Sequence, residues 1–477
     1  MGSHITRSIF TEKDEQRFLE KLREETALLK RWANSGALKS DIRFCGLELE
    51  AWIADIQGEP QPQCEQFLFH LNNDLVVPEL SCFNFEINTV PQPLSGRFLT
   101  KIHEALKKTW VQCLEVSESL SLQPVAIGSL PTITSEHLTL KHMSPHQRYY
   151  ALNEQILRLR KGAPLEVEIK GEEELSVTQS DIMLEAAATS MQIHLQVGYE
   201  EAARIFNASQ ILSAFMVAIS SNSPYLFGKN LWAETRIPVF EKAVSVGHFK
   251  ASDGFDVGRT SLGAGYVKES ILELFQENVE KFPVLLPFCT DSDPGDMDHL
   301  RLQNGTIWRW NRPLVGFDIT GRPHLRMEHR VMAAQPSLLD TVANMALYLG
   351  GALALAEMNP SPESQISFQQ ARDNFYEAAQ KGLAAQVHWG RALLPVKVVL
   401  KEEILPLAKD KLLSLGVHRD DLEIFFDDIL FQRIETAQTG AQWQRQFIKK
   451  HGLLFHDMVK EYTRFQKQDL PIHSWTV

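Results

Sequence analysis

Residues 44–52 read FCGLELEAW, two glutamates one residue apart inside an otherwise apolar run. In a β-strand successive side chains alternate between faces, so Cys45, Leu47, Leu49, Ala51 and Ile53 share one side. Glu48 and Glu50 then share the other with Gly46 and Trp52. Neighbouring carboxylates repel, and burying either without compensation is costly. Such a strand needs positive charge opposite its polar face.

The same parity runs through other segments. In CFNFEINTV (82–90), Phe83, Phe85 and Ile87 alternate with Asn84, Glu86 and Asn88. In TSMQIHLQVGY (189–199), Met191, Ile193, Leu195 and Val197 oppose Ser190, Gln192, His194 and Gln196. In HLRMEHRVM (324–332), Leu325, Met327 and Val331 group with His329, while Arg326, Glu328 and Arg330 project oppositely. TIWRWNRP (306–313) reads as a further strand with Thr306, Trp308, Trp310 and Arg312 on its polar side. Alternation predicts an antiparallel sheet with one packed and one open face, since buried parallel strands read as continuous apolar runs.

Helical periodicity predicts helices over 11–33, 96–122, 200–220 and 267–280, and after Pro336 over 337–357, 366–387 and 441–467. EIKGEEELS (168–176) reads as a solvated loop, and 245–300 as long loops able to cover a site. The expected class is α+β: a curved antiparallel sheet with flanking helices and a helical C-terminal region. The expected division is an N-terminal helix over 1–35, a sheet domain with lid loops over 36–336, and helices over 337–477 packed on it.

At 477 residues, 44% hydrophobic and 23% charged, the composition is that of a soluble globular protein. A net charge of −12 with dispersed Lys and Arg argues against a nucleic-acid partner, leaving room for a local basic pocket for phosphates. No run reads as the roughly 18–20 apolar residues that span a bilayer, so no membrane is expected. The opening MGSHITRSIF lacks the apolar stretch of a secretory leader. Five scattered cysteines without a CxxC pair argue against a zinc site or a disulfide framework and fit a reducing cytoplasm. There is no GxSxG, GxxxxGK[ST] or strand–GxGxxG–helix; GRTSLGAG (258–265) reads as a flexible lid or a phosphate contact.

Together the polar faces hold Glu48, Glu50, Glu86, Glu328, His194 and several arginines, with no lysine. Four carboxylates and an imidazole converging on one concave sheet make an oxygen-rich site for Mg²⁺ or Mn²⁺ rather than zinc. Arginines beside it suit bidentate recognition of phosphate or carboxylate, so the expected anionic substrate is ATP.

FCGLELEAW, FNFEINTVPQPL, SMQIHLQV, SSNSPYLFG…LWAETR, WNRP and LRMEHRV follow one another in an order that resembles the glutamate–cysteine ligases of plant and proteobacterial type. The related bacterial carboxylate–amine ligases show the same order, and GLAAQ (382–386) and GAQWQRQF (440–447) resemble their helical tail. The resemblance implies a glutamine-synthetase-like sheet whose concave face binds ATP and divalent cations. It makes Glu48 and Glu50 metal ligands on the first strand, Glu86 a ligand on the second, and Glu328 a ligand on the last. His194 would be a ligand beside the ATP phosphates. Arg330 would hold a phosphoryl oxygen or a substrate carboxylate, acting with Glu50 in catalysis, and Arg312 would support the phosphates. Thr189, Gln192 and Arg326 would sit beside the amino-acid substrate. One departure stands out: where the family carries an R-S-x-x-W-like run, this chain has GKNLWAETR, offering Lys229 and Arg236 for substrate.

The implied reaction is ATP-dependent amide formation through an acyl phosphate, with glutamate and cysteine the favoured pair of small-molecule substrates. A different acid or amine is the alternative within that chemistry, and an inert sensor or scaffold the alternative outside it. A homo-oligomer is compatible with either.

Overall fold

The computed structural model describes residue 5, residues 7–40 and residues 42–477; residues 1–4 and 6 of the expected N-terminal segment, and residue 41, lie outside the described residues. The glutamate-bearing run forms the longest strand, β1 (Phe44–Asp55). It lies in an eight-stranded sheet with β2 (Val76–Pro78), β3 (Asn84–Asn88), β4 (Gln92–Pro93), β5 (Leu122–Val125), β6 (Met191–Val197), β7 (Asn311–Phe317) and β8 (Pro323–His329). The order is β7-β8-β6-β1-β3-β2, every pairing antiparallel, and the sheet curls into a half-barrel. β1 is long enough to pair along one edge with β6 and then β5, and along the other with β4 and then β3. The α+β class and the antiparallel sheet match the sequence expectation.

Register decides which side chains meet, because cross-strand partners share a face. Glu50 stands opposite Glu86, and Glu48 lies between Asn88 and Gln192. His194 lies between Gly46 and Glu328, and Glu328 is also paired with Arg312. The other face, with Leu47, Leu49, Ile87, Ile193, Leu195 and Met327, is buried. His329 belongs to that face, its ring stacked on Tyr348 at 4.0 Å between centroids.

Behind the apolar face run two helices, Tyr199–Ser220 and Leu338–Glu357, with mean hydropathy 1.4 and 1.5. By length and composition both could cross a membrane, which corrects the expectation that no run reaches that size. Their apolar windows are 89% and 94% buried in the protein, as expected of helices apolar all round that form a core.

Other differences have local causes. The strand expected over 306–313 begins only at Asn311. A helix runs to Gly305, Arg309 is drawn to Asn278 and Glu277, and the buried Trp310 indole donates to Glu241. Thr306, Trp308 and Trp310 therefore do not form a strand face with Arg312. The acidic stretch 168–176 is not a loop but most of a hairpin, Leu165–Lys170 with Glu174–Gln179. The helix expected over 441–467 is two, Gly440–His451 and Phe455–Lys467, broken at Gly452 with φ +86°. The one expected over 366–387 stops at Lys381 and gives way to a strand, Gln386–Trp389.

Candidate active site

On the polar face the carboxylates fall into two groups. In the first, Glu48, His194 and Glu328 each bring a ligand atom within 4.8 Å of the others. His194 Nε2 lies 2.9 Å from Glu48 Oε1, yet neither ring nitrogen has an aligned hydrogen-bond partner. Glu328 is buried and gripped bidentately by Arg312, Nε to Oε2 at 2.8 Å and Nη2 to Oε1 at 3.0 Å. Arg330 Nη1 stands 4.0 Å from the same carboxylate. Burial opposes the charge on Glu328, but Arg312, Arg330 and His194 outweigh it and hold its carboxyl well below the ordinary range. Burial likewise opposes Glu48, and the imidazole of His194 overcomes it.

In the second group, Glu50, Glu79 and Glu86 bring oxygens within 4.8 Å of one another. Glu50 accepts from Ser190 N at 2.6 Å, Ser190 Oγ at 2.9 Å and Gln192 Nε2 at 2.9 Å. Glu86 has one donor, the Asn88 amide at 2.8 Å. Burial, then repulsion from Glu48, Glu79 and Glu50, pushes Glu86 far above an ordinary carboxyl. Burial and Glu50 raise Glu79 to about 7, and burial raises Glu50 despite Arg330. Glu185, on the turn Met183–Ala187, is pushed by burial and then by Glu79 and Glu50 to about 8. These carboxyls share a space short of positive charge.

Both groups fit divalent cations on their own chemistry. The first offers an imidazole whose buried nitrogens lack partners, and the second offers oxygen alone, which hard cations prefer. They are the candidate metal clusters found among the described residues.

The remaining expected site residues divide. Arg330 is buried, its guanidinium over the Phe240 ring at 5.3 Å and its Nε without a partner. Arg236 is buried beside it, Nη2 donating to the Arg330 carbonyl at 3.1 Å. Arg326 projects from β8 with a buried, unpartnered Nε. Gln192 is committed to Glu50, and Arg312 to Glu328 and the Asn304 carbonyl. Thr189 Oγ1 donates to the Ile127 carbonyl and accepts from Trp52 Nε1 at 3.1 Å, tying down the loop at the end of the sheet. Lys229 is not gathered with the others: it lies on a two-residue strand at the surface, 3.1 Å from Glu173. GRTSLGAG is packed rather than free, with Arg259 through Leu262 buried and the Ser261 carbonyl accepting from Trp310 N.

Sequence reasoning missed Glu79, Glu185 and Ser190. Ser190 was on the right face and only its role went unread. Glu79 lies one residue past β2, and Glu185 on a turn, where no period marks a face.

Comparison with known proteins adds the lineage. Among solved structures, a glutamate–cysteine ligase from Francisella tularensis in complex with AMP superposes with a TM-score of 0.52 at 10% identity, covering 92% of this chain and 90% of that one. A bifunctional glutathione synthetase from Pasteurella multocida also gives 0.52 at 10% identity, over 92% of this chain and 54% of that one. At such identity these likenesses speak to the fold. No curated protein matches significantly. The family model described as Glutamate-cysteine ligase family 2 (GCS2) matches residues 44–459, most of the chain. On that match the chain belongs to glutamate-cysteine ligase family 2, and is an ATP-dependent carboxylate–amine ligase.

Proposed function

We propose that this ligase joins glutamate to cysteine with conversion of ATP to ADP and phosphate. The observation that carries the reading is the adjacency, on one sheet face, of two three-residue groups able to hold cations, with Arg330 beside Glu328 and acting on Glu50. Glu48, His194 and Glu328 would hold one Mg²⁺ or Mn²⁺, and Glu50, Glu79 and Glu86 another; bound there, the cations neutralise the charge of the ATP phosphates.

The chain's own residues orient and neutralise. Arg330, with an unspent Nε, takes the attacking carboxylate or the transferred phosphoryl group. Arg312, already spent on Glu328, keeps that carboxylate charged and aimed, a positioning role behind the phosphates. Ser190 and Gln192 fix Glu50 in the same way. A donor carboxylate oxygen attacks the γ-phosphorus as ADP leaves. The amine then attacks the acyl carbon, losing a proton as phosphate departs. Arg236, lying against Arg330, would meet a substrate carboxylate, and Arg326, on the same face of β8 as Glu328, would offer a second guanidinium beside Glu48. Five cysteines without a disulfide fit a reducing cytoplasm.

A second reading, a different acid or amine, is favoured by one observation: Lys229 points to Glu173 at the surface and does not replace the arginine of the family's R-S-x-x-W-like run. ADP release measured with a panel of amino acids separates the readings. ADP and amide with glutamate plus cysteine supports the first; turnover with another pair alone supports the second. No ADP with glutamate plus cysteine overturns the first.

A further inference from the structure

Away from the sheet face, GRTSLGAG contributes to a second feature. A cavity of about 200 Å³ opens between the short hairpin Phe249–Lys250 with Asp256–Val257 and the end of the helix Leu272–Lys281. Phe249, Val257 and Phe282 give it apolar walls, and His248, Arg259 and Lys281 give it three basic groups. Among the described residues no carboxylate lines it.

Arg259 is the unusual member. It is 1% exposed, and Nη1 donates to the Thr306 carbonyl at 3.0 Å and to Thr306 Oγ1 at 3.3 Å. Nη2 donates to the Pro283 carbonyl, the guanidinium faces the Phe282 ring at 5.8 Å, and Nε has no partner. Other buried arginines have counter-charges: Arg312 has Glu328, Arg433 has Asp340 and Arg309 has Glu277. Arg259 forms no ion pair with any described carboxylate, and burial alone pulls its pKa down to about 9. A buried cation is stable when an anion or a full set of acceptors meets it, and here both are incomplete. The mouth is shaped as well: a Cβ on Gly258 would lie 3.2 Å from His248 Cδ2, so glycine lets the imidazole settle against this backbone.

We propose that this cavity binds a small amphipathic carboxylate, its apolar body against Phe249 and Phe282 and its carboxylate on Arg259, with His248 and Lys281 at the mouth. The same cations suit inorganic phosphate, but the aromatic walls give a carbon body the advantage.

Benzoate and inorganic phosphate serve as probes in isothermal titration of the full-length, metal-free protein. Benzoate should bind once per chain and more tightly than phosphate. Lys281→Ala with His248→Ala, both at the surface, should weaken benzoate roughly tenfold, as loss of a charge-assisted contact does, and leave ADP formation unchanged. Arg259→Met should abolish binding; if it fails to fold, the surface double variant still decides. No benzoate binding to the unaltered protein, or equal binding to the double variant, overturns the proposal. Loss of benzoate binding in Arg330→Lys places the probe on the sheet face and overturns it too, and tighter binding of phosphate overturns the assignment to carboxylates.

Discussion

Glu48 and Glu50 leave the same strand two residues apart, into opposite surroundings. Glu48 joins His194 and Glu328, where Arg312 and Arg330 supply positive charge and His194 Nε2 lies 2.9 Å from Glu48. Glu50 joins Glu79 and Glu86, where Arg330, Arg236 and Arg148 act only in part and the direct partners are a few neutral donors. The carboxyls of the first group are held low, and those of the second are pushed up. One group carries its own counter-charge; the other lacks one, as the cation site proposed for it requires.

Four substitutions or conditions can break that contrast. The largest effect belongs to Glu50→Gln, which keeps an acceptor for Ser190 and Gln192 but removes a ligand charge. ADP formation should fall to background while the metal-free Tm stays level or rises, since one repulsion is gone. A lowered Tm would mean that Glu50 is already compensated. Arg312→Met attacks the other group. It leaves Glu328 buried without its bidentate partner and should cost about 3–5 kcal/mol in chemical denaturation. A cost within experimental error would show that Arg330 alone suffices to compensate Glu328.

Arg330→Lys keeps the charge and loses the planar fork, so turnover should drop about tenfold or more with little change in Tm. Unchanged turnover would reduce Arg330 to a structural counter-ion of Glu328. The smallest effect is a pH slope. Glu79 at about 7 and Glu185 at about 8 bind protons in the folded protein that an ordinary carboxyl, near about 4.3, has lost when unfolded. The folded state then holds more protons; below about 6.5 the buried His329, held down to about 3, opposes the trend, so metal-free stability should decline as pH rises from about 6.5 to about 8. Tm measured across that range in EDTA should fall, and Glu79→Gln should flatten the fall. A flat profile in the unaltered protein would refute the charge deficit.

The contrast was half legible in the sequence. Alternation put Glu48, Glu50, Glu86, His194 and Glu328 on one face because each lies inside a strand with a packed reverse side. It also misled: Thr306 to Trp310 alternate like a strand, but the pull of Glu277 and Glu241 on Arg309 and Trp310 holds them outside it. Glu79 had no period to betray it, lying just past a strand of three residues. Arg312 could be assigned a face but not a partner, since its hold on Glu328 depends on the register of β7 against β8. Pattern gives the faces; pairing order gives the charges that meet.

The charge deficit of Glu50, Glu79 and Glu86 is what the proposed cation would relieve. Its most direct test is a titration of Mg²⁺ into the EDTA-stripped, full-length protein, following Tm and ADP formation together, with Glu86→Gln alongside. Turnover should be absent at the start and recover saturably, with a rise in Tm that Glu86→Gln largely loses. Full turnover in excess EDTA, or a Tm indifferent to Mg²⁺, would contradict it.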